Sequence, residues 1–333
     1  MIDSTTLNFV QNCDQYVITF HQNPDGDAIG SALGLHHFFK KQGKQGIVVS
    51  PNEVGDYLKW LPGVDEVQVY EREPQRFDRM VKEAKAVFCL DFNDPNRCGG
   101  LENIIQATAA DLMMIDHHLF PKDFTKYKLH STESPATALL ILELIQAIND
   151  SLIDQDIAMN LYTGLMTDTG SFRFPATNAK THLGVARLME TGFQHELAHE
   201  NIFDTFTEKR LKLYGNSFSN RHELLPEYKT SYFYVTKEDH VNFDIKKGDT
   251  EGLVNYNLSL EGVMFGVLFI ENEEMVKISF RSKGTFPANE FARKYFQGGG
   301  HLNAAGGRSF ISLDRTIKRF KKHLVEFIEQ NPI

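Results

Sequence analysis

The sequence predicts an α/β protein: a larger N-terminal domain with a mostly parallel sheet flanked by helices, and a smaller C-terminal α/β domain across an active-site cleft. Three observations lead there. The first two-thirds alternates short β-type runs with helical stretches, the pattern of a parallel sheet covered on both faces. The last third changes to longer strands followed by helices. And 333 residues exceed the roughly 250–300 at which a single hydrophobic core stops growing.

In order, YVITF (16–20) runs through HQNPDGDAIGS into an amphipathic helix over 28–41. GIVVS (46–50), EVQVY (66–70), AVFCLD (86–91) and DLMMID (111–116) read as further strands, each followed by turn residues. Helices are expected over 135–149, with Pro135 near the first turn, over 154–166, and over 178–190 before Gly192. The charged stretch 195–225 reads as a helical connector, which sets domains at 1–194 and 226–333. Beyond it TSYFYVT (230–236), VMFGVLFIE (263–271) and MVKISFRS (275–282) are strands. Helices follow over 287–296 and Leu313–Gln330, with GGGHLNAAGG between them as an ordered glycine-rich loop.

Apolar content of 41% and charged content of 24% are those of an ordinary globular protein. A net charge of −9 argues against a coat protein for long nucleic acid, which would be basic, but leaves room for a local basic cleft. Cys13, Cys89 and Cys98 form no CxxC pair and are odd in number, which suits a reducing compartment without a disulfide frame. No charged-then-apolar leader opens the chain, and the clean apolar run VMFGVLFI is far short of a membrane span, so the expected location is cytoplasmic.

The chemistry is concentrated in acids and histidines that follow apolar runs, where solvated charges are out of place. They are His21, Asp25 and Asp27 in HQNPDGD, Asp91 in FCLDFND, Asp116, His117 and His118 in MMIDHH, and Asp168 in MTDTGSF. Buried carboxylates repel one another and are costly to desolvate unless cations neutralise them. Two divalent cations would balance Asp25, Asp27, Asp91 and Asp168. In open α/β sheets ligands gather at the carboxyl ends of strands, so His21, Asp91 and Asp116–His117 can converge across long sequence gaps. A lone DGD is ordinarily a solvated turn, and a lone strand-end or helix-end aspartate ordinarily a cap. Their combination reads as a two-metal hydrolase, with Asp91 suited to bridge ions about 3.5–4 Å apart. Gly30, Ser31 and Gly34 allow close packing of the first long helix.

Near the other end, the GGGHLNAAGG glycines let backbone amides approach an anion, with His301 adding a side-chain donor. Arg281, ending a strand, has the fork geometry to clamp a phosphate. The Lys318, Arg319, Lys321 and Lys322 run reads as a solvated helix face, and His36, His37, His182, His195 and His199 as structural or surface residues.

With these residues in view, the chain resembles the DHH phosphoesterase superfamily, named for the triplet that is Asp116-His117-His118 here. The four amino-terminal motifs occur in family order, and GGGHLNAAGG resembles the signature of the associated C-terminal domain. The resemblance implies one manganese ion on His21, Asp25 and Asp91 and a second on Asp27, Asp91, His117 and Asp168, with Mg²⁺ or Co²⁺ as substitutes. It implies that His118 contacts the scissile phosphate while Asp116 orients the histidines. Arg281 with its neighbour Ser282, Gly298, Gly299, Gly300 and His301 would grip the terminal nucleotide. The size leaves no room for the extra domains of RecJ-type exonucleases, or for the membrane and sensory segments of cyclic-dinucleotide phosphodiesterases. The compact bacterial nanoRNases are the nearest likeness: oligoribonucleases that also dephosphorylate 3′-phosphoadenosine 5′-phosphate (pAp).

The expected mechanism is attack by a hydroxide formed between the two metals on a phosphorus held in the cleft, with His118 assisting the leaving oxygen. Expected substrates are short RNA such as pApA or pGpG, and pAp, with no membrane and no long duplex as partner. A homodimer is the default assembly. Two alternatives stand beside this reading: a polyphosphate or pyrophosphate hydrolase on the same metals, and a nucleotide-binding protein that has lost turnover.

Overall fold

The computed structural model describes residues 2–246 and 248–331. Its chain forms two compact units, Met1–Thr205 and Phe206–Ile333.

The first unit begins with helix α1 (Ser4–Asn12), strand β1 (Gln15–Phe20) and helix α2 (Gly26–Lys41), then β2 (Gln45–Ser50) and a two-residue β3 (Gln68–Val69). α3 (Pro74–Glu83), β4 (Ala86–Leu90), α4 (Glu102–Ala107), β5 (Asp111–Asp116) and β6 (Tyr127–His130) follow. Four helices complete it: α5 (Thr137–Asn149), α6 (Gln155–Asp168), α7 (Ala179–Met189) and α8 (His195–Phe203). The six strands are all parallel, in the order β3-β2-β1-β4-β5-β6. Alternate side chains feed two separate cores. From β4, Ala86, Phe88 and Leu90 enter one core, and Val87 and Cys89 enter the other. That is why these strands read as continuous apolar runs: both faces are covered.

The strand order reverses at β1, with β2 on one side and β4 on the other, so the carboxyl ends of β1 and β4 border the ligand crevice of a doubly wound sheet. Phe20 pairs with Leu90, and Leu90 with Ile115, which sets His21, Asp91 and Asp116 side by side at that edge.

Glycines bring α2 and α6 into close contact behind this edge. A Cβ on Gly30 would lie 2.3 Å from the Asn160 carbonyl oxygen, and one on Gly34 would lie 2.7 Å from Leu161. The packing expected of Gly30 and Gly34 is therefore present, and it carries Asp27 of α2 toward Asp168 at the end of α6.

Up to residue 225, three elements differ from expectation. The strand expected over 66–70 shrinks to β3, because Val64–Glu66 and Tyr70–Arg72 wind into 3₁₀ turns. β3 is a sheet edge pairing only Gln68 and Val69, and the Glu66 carboxylate is drawn to Lys40 at 2.7 Å. The helix expected from Pro135 starts at Thr137, since its first amides are capped by a distant carboxylate. The 195–225 stretch is two helices and a strand: α8 ends at Phe203, and a Thr207 cap starts the next helix.

The second unit holds α9 (Glu208–Asn220), β7 (His222–Leu225), β8 (Thr230–Val235), α10 (Lys237–Asn242), β9 (Phe265–Glu271) and β10 (Val276–Ser282). It ends with α11 (Ala288–Tyr295), β11 (Gly299–His301), β12 (Ala304–Ser309) and α12 (Leu313–Gln330). Its mixed sheet runs β11-β12-β10-β9-β8-β7, covered by α11 and α12 through a core rich in phenylalanine. GGGHLNAAGG is a β-hairpin here instead of a loop. The glycines account for this, because a Cβ on Gly298 would lie 1.9 Å from the Gly306 oxygen and one on Gly307 2.9 Å from Phe296. Only bare backbone fits that closely. No helix among the described residues is long and apolar enough to cross a membrane.

The α2–α6 contact supplies a test. Gly30→Ala forces a methyl against the backbone of α6, and overpacking of this kind costs about 1–3 kcal/mol. The expected result is a lower urea midpoint together with weaker divalent-cation binding. A variant with parental stability would mean that the helices are not held at this distance.

Candidate metal centre

Each candidate side chain is held by a different local device. His21 follows β1, and its Nδ1 faces the Gln22 carbonyl at 3.0 Å. Asp25 is the cap of α2: its Oδ1 accepts from the amides of Asp27 and Ala28, both at 3.1 Å. Asp27 sits in the first turn of α2, fully buried, and in turn caps α5, with Oδ2 accepting from the Thr137 amide at 2.6 Å and Oδ1 from the Ala138 amide at 2.8 Å. Ser31 adds a hydroxyl at 3.2 Å. Asp91 leaves β4 with φ of 60°, a left-handed conformation uncommon for any residue with a side chain. The turn aims its carboxylate along the sheet edge.

These groups form two sets that share Asp91. His21 Nε2 lies 3.3 Å from Asp91 Oδ2 and 3.7 Å from Asp25 Oδ2. His117 Nε2 lies 3.1 Å from Asp168 Oδ2, 3.5 Å from Asp91 Oδ1 and 3.8 Å from Asp27 Oδ2. One oxygen of Asp91 thus faces each set. Asp116 lies beside them. It accepts from His118 through the ring Nδ1 at 2.8 Å and the backbone amide at 3.0 Å, which fixes the ring. The His130 ring meets the His118 carbonyl at 2.7 Å.

The donor chemistry fits divalent cations. His21 and His117 both turn Nδ1 toward a backbone carbonyl, of Gln22 and Ser134 respectively, so the neutral rings present Nε2 lone pairs to the carboxylates. Lone pairs facing carboxylate oxygens repel unless a proton or a cation lies between them, and a ring held through its other nitrogen is the usual form of a ligating histidine.

Without cations, protons take that place. Burial opposes charge on His21, yet hydrogen bonds to Asp25 and Asp91 outweigh it and draw the imidazole well above its ordinary value. His117 behaves alike through Asp168 and Asp91. Burial, reinforced by the Asp91 and Asp168 charges, pushes Asp27 well above the usual carboxylate range, and burial raises Asp168. Burial would also raise Asp91, but hydrogen bonds to His117 and His21 prevail and hold it well below.

In the second unit the register sets two candidates in one row. Arg281 pairs with Ala304, and Ala304 with His301, so the three share a face of the sheet with only a methyl group between the longer side chains. Arg281 Nη1 donates to the Phe280 carbonyl at 3.0 Å. Ser282 turns inward, donating to the Phe286 carbonyl at 2.7 Å and accepting from Asn303 at 2.9 Å. The Gly298 amide donates to the Ala292 carbonyl. Gly299 borders open space, and Gly300 has φ of 139°, which only glycine adopts readily.

Sequence reasoning passes over Thr137, Ser134 and Gly164. Thr137 and Ser134 hold Asp27, Asp91 and His117. A Cβ on Gly164 would lie 2.9 Å from Asp27 Oδ1. The segment Ser134-Pro135-Ala136-Thr137 carries the only signal, that of an ordinary helix start.

Because His21, His117 and Asp27 hold protons more tightly than usual when metal is absent, cations compete with protons, and their affinity rises with pH. Mn²⁺ binding is expected to tighten from about pH 6 to about pH 8 and to release protons, read by calorimetry in buffers of different ionisation enthalpy. At 100 times Kd each bound ion stabilises the fold by about 2.7 kcal/mol, seen as a higher Tm that EDTA reverses. An affinity indifferent to pH would contradict the assignment.

Residues 15–165 match the DHH family N-terminal domain and residues 229–330 the DHHA1 domain. A Thermus thermophilus protein named bifunctional oligoribonuclease and PAP phosphatase NrnA is 29% identical, over 91% of this chain and 87% of that protein. Its Bacillus subtilis namesake is 26% identical, over 88% of each. A solved structure from Bacteroides fragilis, described as an exopolyphosphatase-related protein, superposes with a TM-score of 0.94 at 37% identity, covering 98% of this chain and 97% of that one. The shared domains, the full-length likeness and the Asp116-His117-His118 strand end lead to one conclusion: this chain belongs to the DHH phosphoesterase family, with a DHH domain followed by a DHHA1 domain.

Proposed function

We propose that this chain is a divalent-metal phosphoesterase that hydrolyses short oligoribonucleotides, including linear dinucleotides such as pApA and pGpG, and removes a phosphate from pAp. The observation that carries the reading is the convergence of His21, Asp25, Asp27, His117 and Asp168 on Asp91, whose two oxygens face two ligand sets. The names of the Thermus and Bacillus relatives support the substrates.

In this reading His21, Asp25 and Asp91 hold one cation, and Asp27, Asp91, His117 and Asp168 the other. Mixed imidazole and carboxylate donors favour Mn²⁺ over Mg²⁺, with Co²⁺ as a substitute. When bound, such a pair supplies positive charge to a phosphoryl group and acidity to a water molecule. The chain's own residues do the rest. Asp116 fixes the His118 ring through Nδ1, which leaves Nε2 as the ring atom offered to a phosphoryl or leaving oxygen. Arg281 and His301, in one row of the DHHA1 sheet, bind the nucleotide's phosphate, with Gly299 and Gly300 leaving room for it. Ser282 ties the end of β10, the strand that carries Arg281, to the segment that follows it. The net charge of −9 gives long polyanions no track, which favours short substrates. All three cysteines are buried and unpaired, which suits action in the reducing cytoplasm.

The likeness to the exopolyphosphatase-related Bacteroides chain favours a second reading, hydrolysis of polyphosphate or pyrophosphate on the same centre. A panel of pApA, pAp, pyrophosphate and tripolyphosphate with Mn²⁺ separates the two. The first reading expects pApA and pAp to be turned over at least 10-fold faster, and preference for the inorganic substrates would replace it with the second. Asp91→Ala is expected to abolish measurable turnover of every substrate. Arg281→Ala removes a charge-assisted bond worth about 1.5–3 kcal/mol, so KM for pAp rises by roughly 10–100-fold while metal binding stays parental. Full activity of Asp91→Ala, or an unchanged KM in Arg281→Ala, would contradict the corresponding role.

A further inference from the structure

We propose that Thr137 is the positioning residue that holds the bridging carboxylate in place and thereby sets whether a second cation binds beside the first. This rests on the two-cation reading of the centre.

Thr137 makes two kinds of contact with the acids. Its hydroxyl donates to Asp91 Oδ1 at 3.0 Å, and its backbone amide donates to Asp27 Oδ2 at 2.6 Å. It is fully buried at the first position of α5. Asp91 and Asp27 are both candidate ligands of the cation on the His117 side, so one residue ties together two of its carboxylates, 46 and 110 positions away in sequence.

The hydroxyl differs in kind from the other groups near Asp91. His21 Nε2, His117 Nε2 and His118 Nδ1 face this carboxylate at 3.3, 3.5 and 3.7 Å. As ligands, His21 and His117 would turn Nε2 to a cation and donate nothing to Asp91, and His118 Nδ1 donates to Asp116 at 2.8 Å. The threonine hydroxyl keeps its proton throughout. It is therefore the donor that orients Asp91 both before and after loading.

Asp91 needs such a hold. Its backbone is in the left-handed region, and its amide is tied to the Ile115 carbonyl at 3.0 Å, so the main chain cannot shift to correct a misplaced carboxylate. With the hydroxyl on one lone pair of Oδ1, the other is directed toward the His117 set, while Oδ2 faces His21. The positive end of the α5 dipole lies at the same point and favours charge on both acids.

The experiment is a Mn²⁺ titration followed by electron paramagnetic resonance, which separates isolated ions from a spin-coupled pair. T137V keeps the shape and the amide but removes the hydroxyl, T137A is a second hydroxyl-free variant, and T137S retains the donor. Loss of a group that orients a ligand typically costs about 10–100-fold in metal affinity. The coupled signal of T137V and T137A is therefore expected to need 10–100-fold more Mn²⁺, whereas T137S follows the parent chain. A purely structural role would lower the Tm of the metal-free variants without moving this titration. Parental titration of either hydroxyl-free variant, or a T137S curve displaced as far as theirs, would overturn the proposal. A parent chain that binds Mn²⁺ yet never shows a coupled pair would overturn the two-cation reading itself, a result distinct from these.

Discussion

Mutual repulsion among buried carboxylates is the constraint around which the first unit is arranged. Asp27 and Asp91 are almost wholly buried, and Asp25 and Asp168 lie in the same group. No soluble fold assembles such charges for stability alone, since uncompensated burial costs several kcal/mol per ion. The fold offsets this with backbone amides and one hydroxyl. Asp25 caps α2, Asp27 caps α5, and Thr137 binds Asp91. What those contacts leave uncompensated is met by protons in the metal-free chain and by divalent cations in the proposed active form.

That arrangement explains features otherwise unrelated. Gly30, Gly34 and Gly164 are small because α2 and α6 must approach until Asp27 and Asp168 both reach His117. Asp91 accepts an unfavourable backbone conformation because the turn aims its carboxylate along the sheet edge. α5 starts two residues later than its proline suggests, because Asp27 serves as its cap.

Much of this is legible in the sequence for a definite reason. Parallel strands covered on both faces read as apolar runs, so a charged residue at their ends stands out, as His21, Asp91 and Asp116 do. Asp168 is harder to read, because it ends a helix where an aspartate has commonplace roles. Thr137 is invisible, since hydroxyl residues begin many helices and its partners lie 46 and 110 positions away. In the second unit the glycine motif is legible as an ordered segment but not as a hairpin. Glycine marks both loops and close strand packing, and only the contacts to Phe296 and Phe280 distinguish them. The strand over 66–70 fails because an alternating apolar pattern cannot reveal that Glu66 is drawn to Lys40.

The central claim is that the carboxylates and histidines are gathered to hold two cations with Asp91 between them. Anomalous diffraction at the manganese edge, from crystals grown with Mn²⁺, tests it most directly. The account predicts two peaks about 3.5–4 Å apart, one beside His21 and Asp25, the other beside Asp27, His117 and Asp168, with Asp91 touching both. A single peak, or peaks away from Asp91, would contradict it.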